Sequence, residues 1–291
     1  MNRPVTVGVD GSPESLAAAR WAAAEALRRG TPLRLLLAWP WLFNAPPTVR
    51  DPDTGLAQEM LQEIRDGLLK DHPGLEITAD RIADHPVEVL VTAAEQAELL
   101  VLGSRGLGPV TGFLVGSVGL LVLGRATCPV VLVRTADGAA VDTAATVEDA
   151  RDVVLGVELD RPCGEVIDFA FRTAAQRSAR LRAVRVWSLA AAYGYSAIPL
   201  SVDLTTGLAA EAERVLNAAL RPWREKYPQV EVTEQAVLGS AGQVLTETAG
   251  EAALLVVGRR VRTSPVGMHI GPVTYAVLHH ARCPVAVVPY H

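Results

Sequence analysis

Gly103 to Gly119 reads GSRGLGPVTGFLVGSVG and follows the aliphatic run Leu99-Leu100-Val101-Leu102. Four apolar residues closed by glycine suit a strand buried on both faces. Ser117 to Arg125 is apolar at helical length. The stretch therefore reads as a buried strand, a glycine-rich loop and a helix start. A helix start offers unpaired N–H groups and a positive dipole end to an anion. Gly103, Gly106, Gly108, Gly112 and Gly116 allow close backbone approach. The loop lacks the Lys of a P-loop, and its glycines are out of register for GxGxxG. From the glycines alone, an anion loop and a generic glycine-rich turn are both open.

Outward from this stretch, strands and helices alternate. Val5 to Val9 is a buried strand ending at Asp10, with Gly11 next, Ser12 as N-cap and Pro13 at the first helical position. The helix stops at Gly30. Leu33 to Ala38 is a second strand. Pro40 to Thr54 is a proline-rich loop, and Leu56 to Lys70 a helix with Leu61, Ile64 and Leu68 on one stripe. Glu76 to Ile82 is a more polar strand suited to a sheet edge, Pro86 to Ala97 a third helix, and Val130 to Val133 a closing strand. This order predicts a parallel sheet covered on both faces.

The pattern then repeats. Val153 to Glu158 mirrors Val5 to Asp10, and Leu181 to Trp187 mirrors Leu33 to Trp39, both at a separation of 148 residues. Leu254 to Gly258 mirrors Leu99 to Gly103, and Cys283-Pro284-Val285 mirrors Cys128-Pro129-Val130, both at 155. Seven extra residues thus fall between the second and third strands of the second copy. The expected organisation is α/β: two tandem doubly wound domains over 1–136 and 151–291, joined by an Ala-, Asp- and Thr-rich linker over 137–150.

Composition limits the function classes. The 291 residues are 49% hydrophobic and only 5% aromatic, with net charge −5. An acidic chain disfavours nucleic acid as the main partner. No run reaches the roughly 18 apolar residues of a membrane span. The chain opens directly on a strand and shows no leader, so a cytoplasmic protein is expected. Three cysteines make no even disulfide framework, and no metal-ligand spacing appears.

In open α/β sheets, ligands bind beyond the carboxyl ends of the strands at a switch point. Asp10-Gly11-Ser12, Ala38-Trp39 and the glycine loop converge there. Asp10 is either an acceptor for ribose or base donors or a capping acid. The strand-two backbone can read an adenine edge. The N–H groups of Gly116-Ser117-Val118 and the Ser117 hydroxyl can hold phosphates. Arg105 either reaches a phosphate or is a solvated loop residue.

These residues carry a resemblance. VTVGVDGS at the start, GSRGLGPVTGFLVGS in the loop, and the closing CPVVLV and CPVAVV strands make the chain resemble a tandem universal stress protein of the kind frequent in actinobacteria. The family's ATP signature, Gly-x2-Gly-x9-Gly-Ser/Thr, falls on Gly103, Gly106, Gly116 and Ser117. The resemblance implies a five-stranded parallel sheet in each copy. It implies that Asp10 and the backbone near Ala38 face adenosine, and that Leu102, Gly103, Gly106, Gly116, Ser117 and Val118 surround ribose and phosphates. It implies a stress-response protein that binds ATP, with or without Mg2+, as a sensor or adaptor rather than an enzyme. The alternatives are a slow ATPase and a nucleotide-independent interaction module. A protein partner, an intrachain pseudo-dimer and a homo-oligomer are compatible with the apolar closing strands.

The second copy departs from the signature. Gly258 and Gly271 remain, but Val261 stands for the middle glycine, Pro272 for the serine and Glu158 for the strand-one Asp. Val is poor at positive φ, and Pro has no N–H. ATP is therefore expected in the first copy only. Arg259, Arg260 and Arg262, with His269, His279, His280 and Arg282, form either a solvated or interface-paired basic cluster or a site for another anion or a partner.

Overall fold

The structure, a computed structural model, describes residues 3–38, 54–106, 113–114, 116–134, 151–159, 163–187, 202–261 and 270–291. The chain divides into two compact units, Met1–Thr143 and Ala144–His291. The expected 137–150 linker, residues 40–53 of the expected Pro40–Thr54 loop, Trp39, Gly108, Gly112, Arg262 and His269 lie outside the described residues.

In the first unit, β1 (Val5–Gly8) is flanked by β2 (Leu33–Ala38) and β4 (Leu99–Gly106), with β3 (Ile77–Ile82) and β6 (Val130–Arg134) outside them. All four pairings are parallel, with Val5 opposite both Leu33 and Leu99, Leu33 opposite Ile77 and Leu100 opposite Val130. The aliphatic runs read as buried strands are buried: Val5, Val7, Leu33, Leu35, Leu99, Leu100 and Val131 are each 0% exposed. The polar third strand is the edge, its side chains mostly exposed or half-buried. Strand order reverses between β1 and β4, which opens a crevice at their carboxyl ends.

Helix α1 (Pro13–Arg29) sets one wall of that crevice. Ser12 Oγ accepts the Ser15 N–H at 3.2 Å, Pro13 begins the helix, and Gly30 ends it in the left-handed region at φ 62°. A stripe of buried alanines, Ala18, Ala19, Ala22, Ala23 and Ala26, presents almost no side-chain bulk to the sheet. The helix therefore lies close, and at Gly103 it touches: an added Cβ would stand 2.6 Å from the Glu14 carbonyl carbon and oxygen. Buried Glu25 and Arg29 pair at 2.8 Å, and Arg29 also holds Glu98 ahead of β4 at 2.8 Å. Helices α2 (Thr54–Asp71), α3 (Pro86–Gln96) and α4 (Ser117–Arg125) complete the unit.

One expectation is corrected. The loop expected from Gly103 begins later, because β4 runs on to Gly106. Gly103 and Ser104 pair with Val133 and Arg134 of β6. Arg105 and Gly106 then pair antiparallel with Leu114 and Phe113 of the two-residue strand β5 (Phe113–Leu114). Available backbone partners extend the strand where residue preference alone would end it.

The second unit has the same order, β9 (Val232–Leu238), β8 (Leu181–Trp187), β7 (Val153–Gly156), β10 (Leu254–Arg260) and β11 (Val285–Tyr290), all parallel. Its helices are α5 (Gly164–Arg177), α6 (Val202–Lys226), α7 (Ala241–Thr248) and α8 (Pro272–His280). Helix α6 has 25 residues where α2 has 18. It begins 148 positions after α2 begins and ends 155 after α2 ends, so the seven extra residues lie inside this helix as about two turns.

Candidate nucleotide site

A cavity of about 460 Å3 occupies the crevice of the first unit. Asp10, Ser12, Ala38, Leu102, Gly103, Gly116, Ser117 and Val118, all singled out from the sequence, line it. They arrive from the ends of β1, β2 and β4 and from the start of α4. Arg105 and Gly106 are placed only as paired residues of β4. Gly11 is not among the lining residues. It turns the chain at φ 80°, and an added Cβ would meet Met60 Sδ at 2.6 Å. The positive φ and the Met60 side chain both favour glycine at this position.

The β1–α1 turn is internally wired. Asp10 Oδ1 accepts the Ser12 N–H at 3.0 Å and also the Ser12 hydroxyl. Ser15 Oγ donates to Ser12 O at 2.9 Å and accepts the Asp10 N–H at 3.3 Å. These bonds fix an exposed carboxylate at the mouth of the cavity with its backbone held rigid.

The start of α4 is built differently. Gly116 is its N-cap at φ −59°, and among the described residues no side chain caps it. The first helical bond runs from Leu120 N to Gly116 O at 3.1 Å. The preceding N–H groups, those of Ser117, Val118 and Gly119, are the orphan donors of the helix end, and all three residues line the cavity. An added Cβ on Gly116 would meet nothing within 4 Å among the described residues. Among the described residues, neither packing nor φ requires a glycine there.

Sequence reasoning missed the opposite wall. Pro86 and Leu90 of α3, with Leu36 of β2, line the cavity beside Leu102. Leu90 and Leu102 close over Gly8, whose added Cβ would stand 3.0 and 2.9 Å from them. Pro86 and Leu90 are four apart on a helix entering at the same sheet end, which is the signal that could have found them. Arg125 of α4 donates twice to Glu88 of α3, at 2.6 and 2.7 Å, tying the two cavity-lining helices together. The Arg125 hydrogen bond holds the Glu88 carboxyl below the usual carboxylate range.

The second unit has a cavity of about 480 Å3 at the matching place, lined by Glu158, Gly258, Gly271 and Pro272 among others. Its chemistry differs. Tyr290 donates from its hydroxyl to Glu158 Oε2 at 3.3 Å, and its ring lies over Gly258. Val261, at the middle-glycine position, donates its N–H to Tyr290 O at 2.8 Å, so its backbone is spent on the sheet. Pro272 removes the first orphan donor of α8.

The model of the universal stress protein family matches residues 1–134 and again 150–289. Universal stress protein Rv2005c of Mycobacterium tuberculosis is 33% identical, covering 97% of this chain and 96% of its own. Universal stress protein Rv2623 of the same organism is 31% identical over 97% and 95%. A universal stress protein crystal structure from Archaeoglobus fulgidus superposes with a TM-score of 0.67 at 18% identity, covering 99% of each chain, a likeness of fold. With both halves matched by one family model, and the match to Rv2005c running nearly end to end, this chain belongs to the universal stress protein family and carries two consecutive copies of its domain.

Proposed function

We propose that the first unit binds ATP or a related adenine nucleotide and that the protein works in the cytoplasm as a nucleotide-dependent sensor or adaptor in the stress response, not as an enzyme. The observation that carries this reading is the uncapped start of α4 facing the cavity. Ser117, Val118 and Gly119, which carry three orphan N–H groups and the Ser117 hydroxyl, all line it, beside a glycine that no packing among the described residues requires. A phosphate group satisfies such donors with charge-assisted bonds. The Leu36, Pro86, Leu90 and Leu102 wall suits the apolar faces of a purine. Asp10 suits ribose hydroxyls. Mg2+ accompanying the phosphates would find in Asp10 and Glu14 the two carboxylates lining the cavity.

The test is calorimetric titration of the full chain with ATP, beside Ser117→Ala and Gly116→Ala. The first change removes a donor and the second puts a methyl where phosphate oxygens would sit. Each should weaken binding tenfold or more, since a hydrogen bond to a charged group is worth about 1.5–3 kcal/mol. Absence of adenine-nucleotide binding by folded wild-type protein would refute the proposal.

A further inference from the structure

An ion pair joins the two helices that wall the first cavity. Helix α3 supplies the apolar side, Pro86 and Leu90, and α4 supplies Ser117, Val118 and Gly119. Glu88 lies in the first turn of α3, and Arg125 is the last residue of α4. Arg125 Nη1 and Nη2 donate to the two Glu88 carboxylate oxygens at 2.6 and 2.7 Å. Two parallel bonds fix an orientation as well as a distance. Arg125 stands eight positions after Ser117, about 12 Å along the helix. The pair thus sits at one end of a short lever, and the orphan N–H groups sit at the other. A tilt of α4 on α3 moves those donors away from the place the α3 wall sets for the rest of a ligand.

The second unit fastens the matching helices differently. At a separation of 155 residues, Gln243 stands for Glu88 and His280 for Arg125. Gln243 donates to Glu247 of its own helix at 2.9 Å. Helices α7 and α8 meet through small residues, since a Cβ added at Gly242 would stand 2.7 Å from the Ala276 Cβ. The first unit has Val87 and Leu121 at those positions. Helix separation follows the size of the side chains at the contact, so α3 and α4 cannot close on each other in that way. The charged clasp occurs in the copy whose helix start keeps its serine. The copy with Pro272 in that place lacks both charged residues.

We infer that Glu88 and Arg125 are a positioning pair for the phosphate donors: they hold the start of α4 against the α3 wall, so that the two ends of one nucleotide are met together. The inference rests on nucleotide binding in the first unit. Neither residue is among those lining the cavity, so the pair acts through the helices and not by touching ligand.

The experiment is calorimetric titration of the full chain with ATP and with adenosine. It compares wild type, Glu88→Gln, Arg125→Gln and the exchanged pair, Glu88→Arg with Arg125→Glu. Each single change should weaken ATP about threefold, the scale that an exposed ion pair can transmit. Adenosine lacks the phosphates that meet α4, so its affinity should stay unchanged. The exchanged pair should recover the ATP affinity of wild type. Wild-type protein that binds neither ligand would overturn the nucleotide reading and this inference with it. Wild-type protein that binds ATP, with both single variants binding it equally well, would overturn the positioning role alone. So would an equal loss for adenosine and ATP, which marks general loosening of the cavity, or an exchanged pair no better than the single variants.

Discussion

Gly103 and Gly116 belong to one sequence signature, yet the structure gives them different work. Gly103 is a packing glycine as well as a cavity residue: its missing Cβ is where the α1 backbone lies. Gly103→Ala should destabilise the first unit by about 1–3 kcal/mol, the usual penalty for overpacking, read as a lowered thermal midpoint. Gly116→Ala should cost less, no more than about 1 kcal/mol, because φ −59° accepts alanine and no described atom lies in its way, leaving only the N-cap preference for glycine over alanine. Its larger effect should appear in nucleotide affinity. The sequence shows five glycines in a loop but cannot say which face backbone and which face a void, because that depends on a helix ninety residues away. The cysteines give a second test at this scale. Burial pushes the Cys128 thiol up from 9.0 to about 12 and Cys163 to about 11. Thiolate is thus disfavoured in the folded state. Native protein should resist alkylation at pH 8, where urea-unfolded protein reacts. Because both pKa values are raised, the stability these thiols contribute is present below pH 9 and falls as pH climbs through 11 and 12. A denaturation midpoint that rose over that range would contradict the assignment.

Among the elements, those carrying their own punctuation were legible. Ser12, Pro13 and Gly30 bracket α1 where the sequence places it, and β2 and α4 have the expected limits. Ser12→Ala should remove the α1 cap and one partner of Asp10 together, costing about 1 kcal/mol in a denaturant titration. The run of β4 through Gly106 was not legible, because it depends on β5 and β6 as neighbours. Nor was the entry of Pro86 and Leu90 into the cavity. Periodicity identifies the buried stripe of α3, but not how far along the sheet its first turn stands. The length of α6 was half legible: the repeat counts seven extra residues, and only the structure places them inside a helix rather than in a loop.

Across the whole chain, duplication supplies an internal comparison. Both units keep the strand order and the reversal at the central strands. Both keep a cavity of similar volume, about 460 and 480 Å3. The scaffold therefore does not need Gly106 or Ser117, since the second unit folds with Val261 and Pro272 in their places. A ligand is the better physical reason for those residues in the first unit. The central claim is one adenine nucleotide per chain, in the first unit. Native mass spectrometry of the full chain with excess ATP measures this directly. The account predicts a single nucleotide increment, needing at least tenfold more ATP to fill in Ser117→Ala. Two increments on the wild-type chain, none on folded protein, or one that fills at the same ATP concentration in Ser117→Ala would contradict it.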